Sequence, residues 1–500
     1  MAGRVCVRAG LAAALVIWAG AAAAIDSVVR APPDPAPASP RAVIAQHGFE
    51  PDNVGWVLRN LTTGETLAAH NAGRAFIPAS VAKIPTAVAA LAALGPEHRF
   101  TTRVRADGRI VEGALRGDLI LHGGGDPLLN ASDLMALCRR IRAAGVREVT
   151  GRFLYDPGMV HGRERIAGDQ PPDARYNPAL SGLTMDFNQF RVDWRPKGPD
   201  GTVAARVTPS VPAIRIARAD RDPGPGQLWT PDLNGTHTVW QLDPTAPRRG
   251  SSKLPMKHPG RVTAQTFRGL CGQAGVSLPA PEQGEAPRDV RTLARAESPP
   301  VREIVESMLA YSNNLVAELL GLATSRALSA TQPSLRASAA TVAAWWRERR
   351  PGLDWSGMHL ANHSGLSADA RLTPEHMAAM LRDPAALGNT EGVARGLPSL
   401  LPASGRSAGL DERLGGPATA LKVWAKTGTM FYASGLAGYL YPESGRQLAF
   451  AVFVNDKDAR RAFDRDPQRR RRSVQASGAA WNARARDLED ALVRYWVREH

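Results

Sequence analysis

Short strands broken by Gly and Pro fill residues 103–295, while helical patterns and longer strands lie on both sides of them. That change of texture predicts one domain interrupted by one or two others. At 500 residues the chain is long enough for such an arrangement. The outer part begins with a hairpin, Val54–Leu58 and Thr66–Ala69 around the turn Thr62-Thr63-Gly64. A helix follows from about Ser80 to Leu94 and is stopped by Gly95 and Pro96. Pro85 fixes its start near Ser80, because only the first four N–H groups of a helix lack helical partners. Beyond the middle, Ile304–Ala310, Leu315–Thr324 and Ser338–Arg347 read as helices, and Ala420–Leu440 as strand, turn and strand. Gln447–Val454 reads as a further strand. Trp481, Ala485, Leu488, Leu492 and Trp496 then mark one face of a closing helix. The expected class is α+β, an antiparallel sheet bracketed by helices, from residues 46–102 and 296–500 with inserted domain(s) at 103–295.

The start of the chain reads differently. Arg4 and Arg8 precede an apolar stretch from Ala9 to Ala24 that ends in small residues, the layout of a signal peptide over residues 1–24. Export to the periplasm or cell envelope of a bacterium is expected, with at most peripheral membrane contact. Residues 25–45, rich in Pro and Ala, read as a linker. Cys6 belongs to the leader, which leaves Cys138 and Cys271 in a compartment that permits a disulfide; the sequence leaves their pairing open. Two cysteines and no His-Glu-x-x-His give no metal site, and no cofactor is expected. The net charge of +15 comes with seven lysines against 55 arginines, so the position of each lysine is informative. No nucleic-acid motif accompanies the charge. The arginine run 469–472 reads as a solvated loop before the last helix.

Three short motifs carry chemistry. In Ser80-Val81-Ala82-Lys83 the i, i+3 spacing sets an amine beside a hydroxyl at a helix start. Lys83 serves as a base for Ser80 only if burial or a second cation lowers its pKa; otherwise this is an ordinary helix with a surface lysine. Ser312-Asn313-Asn314 precedes a helical run and suits either proton relay and amide binding or a polar helix cap. Lys426-Thr427-Gly428-Thr429 offers a cation and two hydroxyls to a carboxylate, with Gly428 leaving room for a ligand backbone and the next N–H free for an oxyanion. Its bland alternative is an exposed edge-strand lysine. His122-Gly123-Gly124-Gly125 looks like a lipase oxyanion loop, but no Gly-x-Ser-x-Gly elbow follows, so a turn after a strand is expected.

The order of the three motifs, separated by 232 and 114 residues, resembles that of penicillin-recognising serine peptidases and β-lactamases. The long first gap looks like the D-alanyl-D-alanine carboxypeptidase/endopeptidase family of low-molecular-mass penicillin-binding proteins, which carry inserted domains there. Pro78-Ala79 before the first motif, Leu94-Gly95-Pro96, Gly117-Asp118-Leu119, Gly123 to Pro127, Tyr176-Asn177 and Ser364-Gly365-Leu366-Ser367 match that family too. The resemblance implies a β-lactamase/transpeptidase-like domain that hydrolyses a peptide bond between D-amino acids in peptidoglycan stem peptides and is inhibited by β-lactam antibiotics. It implies Ser80 as nucleophile, Lys83 as base and Ser312 as proton relay. Asn314 would bind the acyl-side amide, and Lys426, Thr427 and Thr429 the terminal carboxylate, with the N–H groups of Ser80 and Thr429 as the oxyanion hole. Asn313 stands where the family commonly has Asp, and Asn362-His363 where it has Asp-Gly. A β-lactamase shares all three motifs, and a non-catalytic cell-wall scaffold that has kept the pocket is an alternative of a different class. Oligomeric state is not legible.

Overall fold

The computed structural model describes residues 39–500 apart from 159, 161–162, 197–202, 209–213, 219–225, 234–237, 288, 331–333, 389–395 and 408. Five strands make the outer sheet: β1 (Val54–Asn60), β2 (Thr66–His70), β3 (Val423–Met430), β4 (Ala433–Leu440) and β5 (Leu448–Asn455). Their order in space is β3-β4-β5-β1-β2, and every pairing is antiparallel. The two halves of the outer domain share one ladder, with Val54 opposite Val454 and Asn60 opposite Leu448.

Strands β4 and β5 are buried along their whole length, which requires cover on both faces. One face is covered by the helix Arg472–Glu499, whose predicted stripe from Trp481 to Trp496 packs on Leu436, Leu440, Phe450 and Val452. On the other face the helix Pro374–Leu381 packs against β5 and β1, and Ala437, Ala451 and Phe453 share one core with Ile84 and Val88 of the helix Lys83–Ala93. Helices Val301–Tyr311, Asn314–Ser329 and Leu335–Arg349 back that layer. The expected α+β sandwich of helices about an antiparallel sheet is therefore present. Among the described residues no helix is long and apolar enough to cross a membrane.

The inserted part runs from strand Thr101–Val111 to strand Arg291–Glu297, which pair with each other. Its largest sheet adds Ala114–His122, Phe153–Asp156, Pro281–Gln283 and the short Glu148–Val149, and two three-stranded sheets lie within residues 189–255. Its core is separate from the outer one and includes Phe153, Phe267, Trp229 and Trp240. Cys138, on the helix Ala131–Ala143, is disulfide-bonded to Cys271, on the helix Pro259–Gln273.

Some expectations change. Residues 1–24 and 25–38 lie outside the described residues, but the expected linker at 25–45 ends in a helix, Pro40–Gln46. Ser39 caps it, Pro40 occupies its first turn, and Val43 and Ile44 are buried, so folded structure begins before residue 46. His122 ends its strand as expected and hydrogen-bonds Asp156 at 2.9 Å.

The disulfide closes a loop of 133 residues inside the inserted core. Replacing both cysteines by alanine should destabilise that part by about 2–4 kcal/mol. Thermal unfolding followed by circular dichroism should give a Tm several degrees lower.

Candidate active site

Ser80 sits in a single tight turn, Ala79–Ala82, that runs directly into the helix Lys83–Ala93. The α-helix thus begins at Lys83, three residues after the expected start, and Pro85 falls within its first turn, where its missing N–H costs no helical bond. Lys83 is fully buried, and its Nζ has three hydrogen-bond partners: Ser80 Oγ at 3.0 Å, Asn314 Oδ1 at 2.8 Å and the Ser364 carbonyl at 2.8 Å. Burial holds its pKa well below the ordinary lysine value, and the charge of Lys426 pushes in the same direction. The surface-lysine alternative is excluded by this burial.

Ser312 lies between two helices, with φ 53° at the end of Val301–Tyr311. Asn313 then caps the helix Asn314–Ser329, accepting a hydrogen bond from the Val316 N–H at 3.2 Å. An asparagine caps as well as an aspartate does, so Asn313 is compatible with the local structure. The motif is therefore a cap and a site residue pair at once. Asn314 bridges two parts of the molecule: its Oδ1 accepts from Lys83, and its Nδ2 donates to the Tyr176 carbonyl of the inserted part at 2.9 Å.

Lys426 lies on β3, an edge strand, yet is buried because the Ser80 turn packs over it. Its Nζ donates to the Thr427 carbonyl at 2.7 Å, and burial pushes its pKa down to about 7. Gly428 departs from expectation. A Cβ there would stand 2.6 Å from the Pro78 carbonyl oxygen and 3.1 Å from the Ser80 nitrogen, so the close approach is made by the protein's own nucleophile turn and not by a ligand. Ser80, Ser312, Asn314 and Thr429 open onto one cleft of about 380 Å³. Thr427 is half-buried, and neither it nor Gly428 lines that cleft.

The cleft has walls that sequence reasoning did not find. The inserted part supplies Asp169, Gln170 and Tyr176, and the C-terminal part supplies Phe463, Arg469 and Arg470. The arginine run, expected in solvent, ties these walls together. Arg470 pairs with Asp173 at 2.6 Å and donates to Gln227 Oε1 at 2.7 Å, and Arg469 donates to the Asp169 carbonyl at 3.0 Å. Partners from distant stretches give no local signal in the sequence. The departure at His363 is absorbed locally: the buried ring stands where a Cβ on residue 321 would meet its Cγ at 2.1 Å, and residue 321 is glycine. Burial lowers the His363 pKa to about 3, so the ring is neutral, and its Nε2 shares a hydrogen bond with Ser338 Oγ at 2.7 Å.

A serine hydroxyl held against a dry amine, with a second buried lysine near it, meets the condition set above for Lys83 to serve as a base. The profile of the D-Ala-D-Ala carboxypeptidase 3 (S13) family matches residues 39–473. The chain belongs to that family. Among its relatives, the D-alanyl-D-alanine carboxypeptidase of Actinomadura sp. (strain R39) is 28% identical over 451 residues, covering 83% of this chain and 80% of the relative. The crystal structure of penicillin binding protein 4 (dacB) from Haemophilus influenzae has the same fold, with a TM-score of 0.71 at 21% identity over 89% of this chain and 99% of the other. The same Haemophilus protein complexed with a novel beta-lactam matches at a TM-score of 0.66 and 22% identity, over 80% of this chain and 90% of the other.

The packing of this S13 site against Gly428 makes a direct prediction. Gly428→Ala should displace the Ser80 turn by a few tenths of an ångström or more and cut acylation by penicillin on the order of a hundredfold. Stopped-flow acylation rates, with unfolding curves as a control for the fold, check this.

Proposed function

We propose that this S13 member hydrolyses the D-Ala-D-Ala bond at the end of peptidoglycan stem peptides through an acyl-enzyme on Ser80. The observation that carries the reading is the 3.0 Å contact between Ser80 Oγ and an amine whose pKa burial holds well below the ordinary lysine value. Lys83 takes the Ser80 proton as Oγ attacks the carbonyl carbon, and the N–H groups of Ser80 and Thr429 receive the negative charge on the oxygen. Ser312 relays a proton to the leaving D-alanine. Water then attacks the ester and restores Ser80. A carboxamide has two N–H donors, so Asn314, with one given to Tyr176, keeps one for the substrate amide. Lys426, with Thr429, holds the terminal carboxylate, and Thr427, which does not line the cleft, has no part in it.

The relative from Actinomadura, a D-alanyl-D-alanine carboxypeptidase, supports the reaction, and the beta-lactam complex of the Haemophilus protein supports inhibition by β-lactams. Export to the periplasm is part of the proposal. The apolar leader supports it, as does the Cys138–Cys271 disulfide, which needs an oxidising compartment. Product analysis on a D-Ala-D-Ala stem peptide and on cross-linked fragments tests the activity; release of no D-alanine and no cleaved cross-link overturns it.

Roles are tested by substitution. Lys83→Arg keeps the charge but removes the base, so acylation should vanish while the fold remains; acylation within a few-fold of the parent removes Lys83 from that role. Lys426→Gln should cost tenfold to a hundredfold on the free-acid peptide, the worth of about 1.5–3 kcal/mol for a charge-assisted hydrogen bond, and much less on its C-terminal amide.

The pH profile follows from the same two lysines. Protonating Lys83 at low pH removes the base, so kcat/KM falls on the acid side. Raising the pH through about 7 discharges Lys426 in the free enzyme, so kcat/KM for the free-acid peptide falls on the alkaline side as well. The amide, with no carboxylate to anchor, should keep the acid limb and lack that alkaline limb.

A further inference from the structure

One buried acid beside the site has no part in the scheme above. Glu318 is fully buried and lies one helical turn after Asn314, so both side chains leave the same face of the helix Asn314–Ser329. Its Oε2 accepts the His363 N–H at 3.1 Å and its Oε1 accepts the Ser364 N–H at 2.9 Å. The carbonyl of that same Ser364 accepts the hydrogen bond from Lys83. Glu318 and Lys83 therefore hold the opposite ends of one short piece of backbone.

We infer that Glu318 is a positioning residue for the lysine base: it fixes the 363–364 backbone that orients Lys83 against Ser80, and its negative charge offsets the cation that Lys83 becomes on taking the proton. This rests on the reading of Lys83 as base. Paired bases in nucleophilic sites are commonly oriented by a third group, and here that group acts through a peptide unit.

The electrostatics agree with the geometry. The charged groups acting on Lys83 are Lys426 from β3 and Glu318 from the Asn314–Ser329 helix, while His363 from the adjoining loop is neutral. A second cation in a dry site already holding Lys426 is costly, and Glu318 opposes that cost. Burial raises the Glu318 carboxyl above its ordinary range, while the Ser364 hydroxyl, the two N–H donors and Lys83 pull it back. Two N–H donors on two different oxygens suit the ionised acid, which offers lone pairs on both.

The test is the pH dependence of Ser80 acylation by benzylpenicillin in the full chain, with folding checked by circular dichroism. In Glu318→Gln one oxygen becomes an N–H donor and the charge is lost. The plateau rate should fall tenfold or more, and the acid limb should move to lower pH, because the charge that favoured protonated Lys83 is gone. An acid limb left in place overturns the proposal whatever the plateau does, since a purely structural acid would change the rate alone. Glu318→Asp keeps the charge and withdraws it by one methylene; it should lose rate tenfold or more with the limb unmoved. Parent-like acylation by Glu318→Asp also overturns the proposal, which keeps it testable if the glutamine variant does not fold. Lys83→Arg separates the two readings. If it still acylates, the base assignment has failed; if it is inactive while Glu318→Gln behaves as the parent, only the role of Glu318 has failed.

Discussion

The removal of one amine from water organises this molecule. Lys83 is buried, and a buried polar group must find hydrogen-bond partners or the fold loses several kcal/mol. Its three acceptors come from its own helix turn, from the helix beginning at Asn314 and from the loop at Ser364. Satisfying the amine therefore draws together stretches of chain that lie hundreds of residues apart. The same desolvation holds the amine's pKa well below the ordinary lysine value, so the requirement that shapes the fold also bears on the reactivity.

The central sheet makes this burial possible. With β4 and β5 covered on both faces, the edge strand β3 carries Lys426 to a protected position and brings the Gly428 backbone against the Ser80 turn. The cleft above is completed by the inserted part and by the arginines near the C-terminus, which reach across to Asp169 and Asp173. Nucleophile, base and walls thus sit on elements that are fixed by packing, and catalysis of this kind gains most from such fixed geometry.

Local order was legible in the sequence wherever a repeating pattern or a chain-stiffening residue imposed it. The stripe from Trp481 to Trp496 gave the last helix, Pro85 placed the start of the nucleophile helix to within a turn, and the three motifs located Ser80, Lys83, Ser312, Asn314 and Lys426 at the site. Partnership across the fold was not legible. Arg469 and Arg470 read as a solvated run because their acceptors stand about 300 residues earlier, and Gly428 read as room for a ligand because the turn that fills it lies in another part of the chain. Glu318 looked like one more residue of an apolar helix, since a single buried acid has no period. The pairing of His363 with Gly321 was hidden for the same reason, each residue being ordinary until the other is placed.

The antiparallel register that joins Thr101 to Glu297 has a consequence for assembly. The ladder of β1 with β5 links residues near 54 to residues near 454, among the most remote contacts in the chain. Closing so long a loop from an unfolded coil carries an entropy cost that grows with its length. Once the inserted part has folded, its two ends leave as neighbours on adjacent strands, and the whole stretch between them ceases to count as slack. A folded insertion then acts as a splint, since it shortens the loop across which the helix Lys83–Ala93 meets the helices from Val301 onward.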